Sequence, residues 1–80
     1  MLTLYVKPGC PYCERTLSAI EKLHLDIATK DVYDPGVAEE LIAKGGKRQM
    51  PFLVDSDRGV SMYESEDIIA YLREHYGTNS

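Results

Sequence analysis

The stretch from Leu2 to Cys13 constrains this chain more than any other. Leu2-Thr3-Leu4-Tyr5-Val6 is rich in β-forming residues and stops at Lys7-Pro8-Gly9, which predicts a short strand ended by a turn. Cys13, Leu17, Ile20 and Leu23 or His24 then recur at helical spacing, predicting a helix from about Pro11 to His24. Proline suits the first helical turn, where the N–H it lacks would have no partner in any case. The chain therefore opens on a strand, a tight turn and a helix, with Cys10 and Cys13 at the junction.

The remaining elements follow from similar signals. Asp26 to Asp31, centred on Ile27 and flanked by Leu25 and Val32, predicts a second strand. Asp34-Pro35 opens a second helix, with Asp34 as N-cap and Pro35 as first residue. Val37, Ala38, Leu41 and Ile42 supply its apolar face, and Gly45-Gly46 ends it. Phe52-Leu53-Val54 predicts a third strand and Val60 to Met62 a fourth, joined through the polar stretch Asp55-Ser56-Asp57-Arg58-Gly59 as a solvated hairpin turn. A last helix runs from Glu64 to about Tyr76, with Ile68, Ile69, Leu72 and then His75 or Tyr76 on its buried stripe. Glu66 and Asp67 stand where the helix dipole favours acids. The order β-α-β-α-β-β-α predicts an α/β fold: a right-handed parallel crossover extended by an antiparallel hairpin, giving a four-stranded mixed sheet flanked by helices. Tyr5, Phe52 and Tyr71 read as packing residues.

Eighty residues, 44% of them apolar and 28% charged, suit one small domain over 1–80 with a single core. The net charge of −4 argues against a nucleic-acid partner, since phosphate binding relies on clustered cations. Lys44, Lys47 and Arg48 form too short a patch for that, and read equally as a local anion contact or a solvated loop. The apolar run at 2–6 is far too short for a signal h-region or a bilayer span. A cytoplasmic location without membrane attachment is the resulting expectation, and a monomer is expected. In that compartment two cysteines separated by two residues suggest redox chemistry or a metal, not a structural disulfide.

Position favours redox chemistry. Three residues apart at the start of a helix, Cys10 and Cys13 share one face of its first turn and can lie within the roughly 4.4–6.8 Å Cα separation that a disulfide permits. Cys10, at the exposed end, meets free backbone N–H groups and the positive end of the dipole, which favour a thiolate, and Lys7 adds a nearby cation. Cys13, one turn inside, is better placed to resolve a mixed disulfide. Cys10 therefore attacks and Cys13 resolves. A zinc site would need His24 and His75 as further ligands, but both stand near helix ends, where a cation complements the dipole. No metal is expected.

Lys7-Pro8-Gly9-Cys10-Pro11-Tyr12-Cys13 resembles the active-site signature of the glutaredoxin family, and the resemblance covers nearly the whole chain. Arg48-Gln49-Met50-Pro51 is similar to that family's basic-x-x-Pro segment, whose proline is cis. The resemblance implies a thioredoxin fold, glutathione as cosubstrate, and reduction of protein disulfides and protein–glutathione mixed disulfides. It implies that Cys10 bonds the glutathione sulfur and that the Met50 backbone, freed by Pro51, pairs with the tripeptide like an added strand. Lys7, Arg48 and Gln49 would hold the glycine-end carboxylate, and Tyr12 would wall the groove. Ordinary glutaredoxins carry Gly-Gly before the last helix. This chain has Met62-Tyr63-Glu64-Ser65-Glu66-Asp67-Ile68, which resembles the amino-terminal domain of glutathione transferases. There the Ser and its neighbours hold the γ-glutamyl end, so Ser65 with Glu64 or Glu66 would do so here. Read alone, Ser65 is an N-cap and the two acids are dipole partners. The alternative function is a dithiol electron carrier reduced by thioredoxin reductase.

Overall fold

The computed structural model describes residues 1–77; the last three positions of the expected 1–80 domain lie outside the described residues. Seven elements follow in the expected order: β1 (Leu2–Val6), α1 (Pro11–Lys22), β2 (Ala28–Asp31), α2 (Val37–Gly45), β3 (Phe52–Asp55), β4 (Val60–Met62) and α3 (Ser65–Tyr76). The sheet order is β2-β1-β3-β4. β1 pairs in parallel with β2 and antiparallel with β3, which pairs antiparallel with β4. The mixed four-stranded sheet is the one expected from the sequence.

Strand alternation divides the apolar residues between two faces. Leu4 and Leu53 are partners across β1 and β3, as are Tyr5 and Phe52 one step along. Leu2, Leu4 and Leu53 pack with Ile20 of α1 and Ile68 and Leu72 of α3. Tyr5 and Phe52 face the other way and pack with Val32 and Leu41 beneath α2. The sheet is thus covered on both sides, with α1 and α3 together on one of them.

Element ends differ from expectation for local reasons. α1 stops at Lys22 because His24 adopts φ 55° and the chain caps itself, with Leu25 N–H bonding Ile20 O at 3.2 Å. β2 begins at Ala28, because the register of Thr3 with Ala28 leaves Asp26 and Ile27 beyond the paired residues. Asp34 is not the N-cap of α2, nor Pro35 its first residue: Val37 N–H bonds Asp34 O as a turn, and Gly36 at φ 81° takes the cap position. Ile42 is exposed. It lies about 100° around the helix from the fully buried Leu41 and so falls off the face covering Phe52.

Asp55 departs furthest. It closes β3 and is fully buried, not part of a solvated turn. The hydroxyls of Tyr71 and Tyr76 donate to its Oδ2 at 2.6 and 2.5 Å. Oδ1 makes no hydrogen bond of good geometry among the described residues, although the amides of Arg58 and Asp57 lie near enough to favour its charge. Burial opposes ionisation here, but the two tyrosines and these amides prevail and hold the carboxyl below its ordinary range.

Gly45 anchors α2 to the site. A Cβ at this position would collide with Tyr63 Oη and lie 2.7 Å from Tyr63 Cζ and 2.9 Å from Phe52 Cε1. Tyr63 itself stacks on Phe52 with ring centroids 4.5 Å apart, donates from its hydroxyl to Lys47 O at 2.7 Å and accepts from Lys47 N–H at 3.2 Å. Replacing glycine by alanine within a helix ordinarily stabilises by about 0.5–1 kcal/mol. Gly45→Ala is expected instead to destabilise by roughly 1–3 kcal/mol through overpacking, read as a lower urea midpoint.

Candidate functional site

The turn at Pro8-Gly9 delivers Cys10 to the N-cap of α1, with φ −92° and ψ 113°, and Pro11 takes the first helical position. Cys10 Sγ accepts the Cys13 N–H at 3.3 Å, while Cys10 O accepts Glu14 N–H as the first helical bond. Both cysteines are free thiols. Cys10 is not at an exposed end: it is 5% exposed and Cys13 1%. The N-cap conformation turns Sγ inward to the amide instead of out to water. The expected order of accessibility is kept, but by a narrow margin.

Electrostatics separate the two sulfurs. Burial raises the Cys10 pKa, yet hydrogen bonding from the Cys13 thiol, the amides of Cys13 and Tyr12, and the charge of Lys7 outweigh it, so the thiol is more acidic than an ordinary cysteine. Cys13 is pushed up to about 11, chiefly by burial and then by the adjoining Cys10 sulfur, against a lowering contribution from the Lys7 amide. Of the two thiols Cys10 is therefore the one that loses its proton first as pH rises, while Cys13 keeps its own. Thr16, fully buried one turn on, donates to Tyr12 O at 2.9 Å and fixes the backbone between the cysteines.

Beside this turn lies a groove of about 420 Å³ lined by Tyr12, Arg15, Gln49, Met50, Pro51, Glu64, Ser65 and Glu66. Seven of these are residues the sequence singled out, gathered from α1, the loop before β3 and the start of α3. The Met50–Pro51 peptide is cis, as the resemblance implied. Met50 makes no main-chain hydrogen bond to other backbone groups among the described residues. Lys7 and Arg48 are exposed and outside the groove lining; Lys7 acts on the site through its charge.

Ser65 is not the N-cap of α3. Glu64 O accepts the Ile68 N–H at 2.9 Å, so the first helical bond starts from Glu64, and Ser65 is the first helical residue, buried at the end of the groove. The two acids have different partners: Gln49 Nε2 donates to Glu64 at 3.2 Å, whereas Arg15 forms an ion pair with Glu66. Arg15 was missed in the sequence. It follows Tyr12 by three residues and so shares its helical face, a spacing that would have located it. No group of three or more His, Cys, Asp or Glu side chains among the described residues is arranged to hold a metal ion, and no helix among them is long and apolar enough to cross a membrane.

Residues 4–80 match the family described as glutathione S-transferase, N-terminal domain. No curated protein matched the sequence. Among solved structures, the chain is similar to a delta-class glutathione transferase of Nilaparvata lugens, at 28% identity and a TM-score of 0.83, covering 99% of this chain and 38% of that one. It is also similar to a glutathione S-transferase of the Antarctic clam Laternula elliptica, at 27% identity and 0.80 over 94% of this chain and 35% of that one. Glutathione S-transferase 1-6 of Anopheles dirus species B gives 28% identity and 0.79 over 96% and 37%. The sheet and helices thus have the thioredoxin-like architecture of these proteins' amino-terminal portions, and the chain spans less than two fifths of their length.

Proposed function

This chain belongs to the glutathione S-transferase N-terminal domain family, and from that premise we propose that it is a glutathione-dependent thiol–disulfide oxidoreductase of glutaredoxin type. The observation that carries this reading is the Cys10 sulfur at the opening of α1, accepting the Cys13 N–H at 3.3 Å and more acidic than an ordinary cysteine, with the Cys13 thiol beside it pushed up to about 11. The residues 1–80 act as one domain in this reading.

The Cys10 thiolate attacks the glutathione sulfur of a protein–glutathione mixed disulfide. A Cys10–glutathione disulfide forms, and the protein thiolate leaves and takes a proton from water. A second glutathione, as thiolate, then attacks the bound glutathione sulfur and releases oxidised glutathione, restoring the Cys10 thiolate. On a protein disulfide, Cys10 forms a mixed disulfide with one substrate sulfur and Cys13 loses its proton to attack Cys10. The products are the Cys10–Cys13 disulfide and a reduced substrate dithiol, and two glutathione molecules re-reduce the pair. The acidity of the Cys10 thiol makes it a good leaving group in each release step.

Glutathione would lie in the 420 Å³ groove. Its backbone would pair with Met50 ahead of Pro51, and Tyr12 would cover it. Lys7, Arg48 and Gln49 would face the glycine carboxylate. The γ-glutamyl carboxylate would meet Ser65 and the open amides at the start of α3, and its ammonium Glu64 or Glu66. What supports this placement is that Tyr12, Gln49, Met50, Ser65 and the two acids Glu64 and Glu66 line one groove beside the Cys10 turn.

The family also favours a second reading, in which the groove holds glutathione as the nucleophile for conjugation to an electrophile. One pair of assays divides the two. Turnover of a glutathionylated peptide, coupled through glutathione reductase to NADPH oxidation, is expected to depend on Cys10, while conjugation of a chlorinated nitrobenzene is expected to be negligible. The opposite pattern would overturn the proposal.

A further inference from the structure

Two walls of the groove come from different parts of the chain. Gln49, Met50 and Pro51 belong to the loop before β3, and Glu64, Ser65 and Glu66 to the start of α3. From Lys47 to Pro51 the main chain makes two hydrogen bonds among the described residues, and both go to one hydroxyl. Tyr63 Oη donates to Lys47 O at 2.7 Å and accepts the Lys47 N–H at 3.2 Å. Tyr63 does not itself line the groove, but Glu64 and Ser65 follow it directly in the chain. One side chain thus ties the loop of the first wall to the base of the second.

The ring is seated so that this hydroxyl has little freedom. It stacks on Phe52, Lys47 Nζ lies 4.9 Å from its centroid, and Gly45 leaves the hydroxyl a space that any Cβ would take. The cation over the ring face adds to this hold. The other tie between the walls runs from Gln49 Nε2 to Glu64 at 3.2 Å. Its two side chains both line the groove, so a ligand's ammonium competes for it. We infer that Tyr63 is a positioning residue for glutathione: it presets Gln49 and Met50 opposite Glu64 and Ser65 before the tripeptide arrives. The inference rests on the groove holding glutathione, as proposed above, and adds a residue outside the groove lining. A loop released from Tyr63 would have to be ordered by the ligand, at a cost in affinity.

The probe is S-methylglutathione, whose blocked sulfur cannot exchange, with its Kd measured by NMR titration. Tyr63→Phe keeps the ring and removes both hydrogen bonds. It should weaken binding about fivefold, the size of one ordinary hydrogen bond's net contribution. KM for a glutathionylated peptide should rise by a similar factor with kcat unchanged, and the pH midpoint of Cys10 alkylation should stay in place. Tyr71→Phe controls for stability alone, since it loses a hydroxyl bonded to the buried Asp55, outside the groove. It should lower the urea midpoint at least as much as Tyr63→Phe and leave the affinity unchanged. An unaltered Kd in Tyr63→Phe, or an equal loss in Tyr71→Phe, would overturn the inference. If wild type binds the probe but turns over no glutathionylated peptide, the exchange chemistry falls, while a fivefold loss in Tyr63→Phe still upholds the role of Tyr63. Wild type that does not bind the probe would overturn both.

Discussion

Cys10→Ser is expected to lower turnover of both a glutathionylated peptide and a protein disulfide by more than about a thousandfold, since a serine hydroxyl stays protonated at neutral pH and cannot form the sulfur–sulfur bond. Cys13→Ser is expected to separate the two routes: deglutathionylation survives and disulfide reduction through an internal Cys10–Cys13 bond is lost. The substitution at Cys13 also carries information about acidity. The Cys13 side chain contributes to stabilising the Cys10 thiolate, and a serine hydroxyl can donate in its place, whereas alanine cannot. Cys13→Ala should therefore raise the Cys10 pKa above that of Cys13→Ser, read as a shift in the pH midpoint of alkylation. Retention of deglutathionylation by Cys10→Ser would remove the nucleophile from the account.

The second large effect is on stability. Asp55→Ala removes a buried carboxylate on which two tyrosine hydroxyls converge, leaving partners without an acceptor. The expected cost is about 3 kcal/mol, a large share of the roughly 4–12 kcal/mol typical for a domain of this length. The pH dependence has a definite sign. The folded carboxyl is held below its unfolded value, so its contribution is complete above an unfolded pKa of about 3.9 and is lost as pH falls from there through the folded pKa. Tyr71, raised to about 12 chiefly by burial and then by Asp55, acts at the other end: its contribution is complete below about 10 and declines as pH rises from there toward its folded pKa. Equilibrium urea unfolding across pH should show wild-type stability falling below about pH 4, with Asp55→Asn flatter in that range. A pH profile unchanged by Asp55→Asn would show that this carboxyl does not control acid unfolding.

The contrast between Asp55 and Cys10 indicates what was legible in the sequence. Element order and sheet composition followed from apolar periodicity, because successive residues such as Leu4 and Tyr5 face opposite sides of the sheet and must each find a covering layer. The helix-opening position of Cys10 followed from Pro8-Gly9 and Pro11, which fix backbone geometry locally. Asp55 and Ser65 did not, because their roles depend on groups distant in sequence. Asp55 reads as a turn residue until Tyr71 and Tyr76, at the far end of α3, are brought onto it. Ser65 and its flanking acids read as capping residues until α3 closes against Gln49 and Arg15. The groove residues were named through family resemblance more than through spacing. Arg15, which that resemblance did not mark, emerged only from its pairing with Glu66. Gly45 reads as a helix terminator alone, and its second role, making room for Tyr63, needed the packing.

The central claim is that one thiol is more acidic than a free cysteine and its neighbour less so. Thiolate ultraviolet absorbance followed across pH, with alkylation rate in parallel, measures this directly. The account predicts two steps: one below the midpoint of about 8.5 for a free cysteine, retained in Cys13→Ser and lost in Cys10→Ser, and one near 11 that belongs to Cys13. A single transition near the free-cysteine value, or a low step that persists without Cys10, would contradict it.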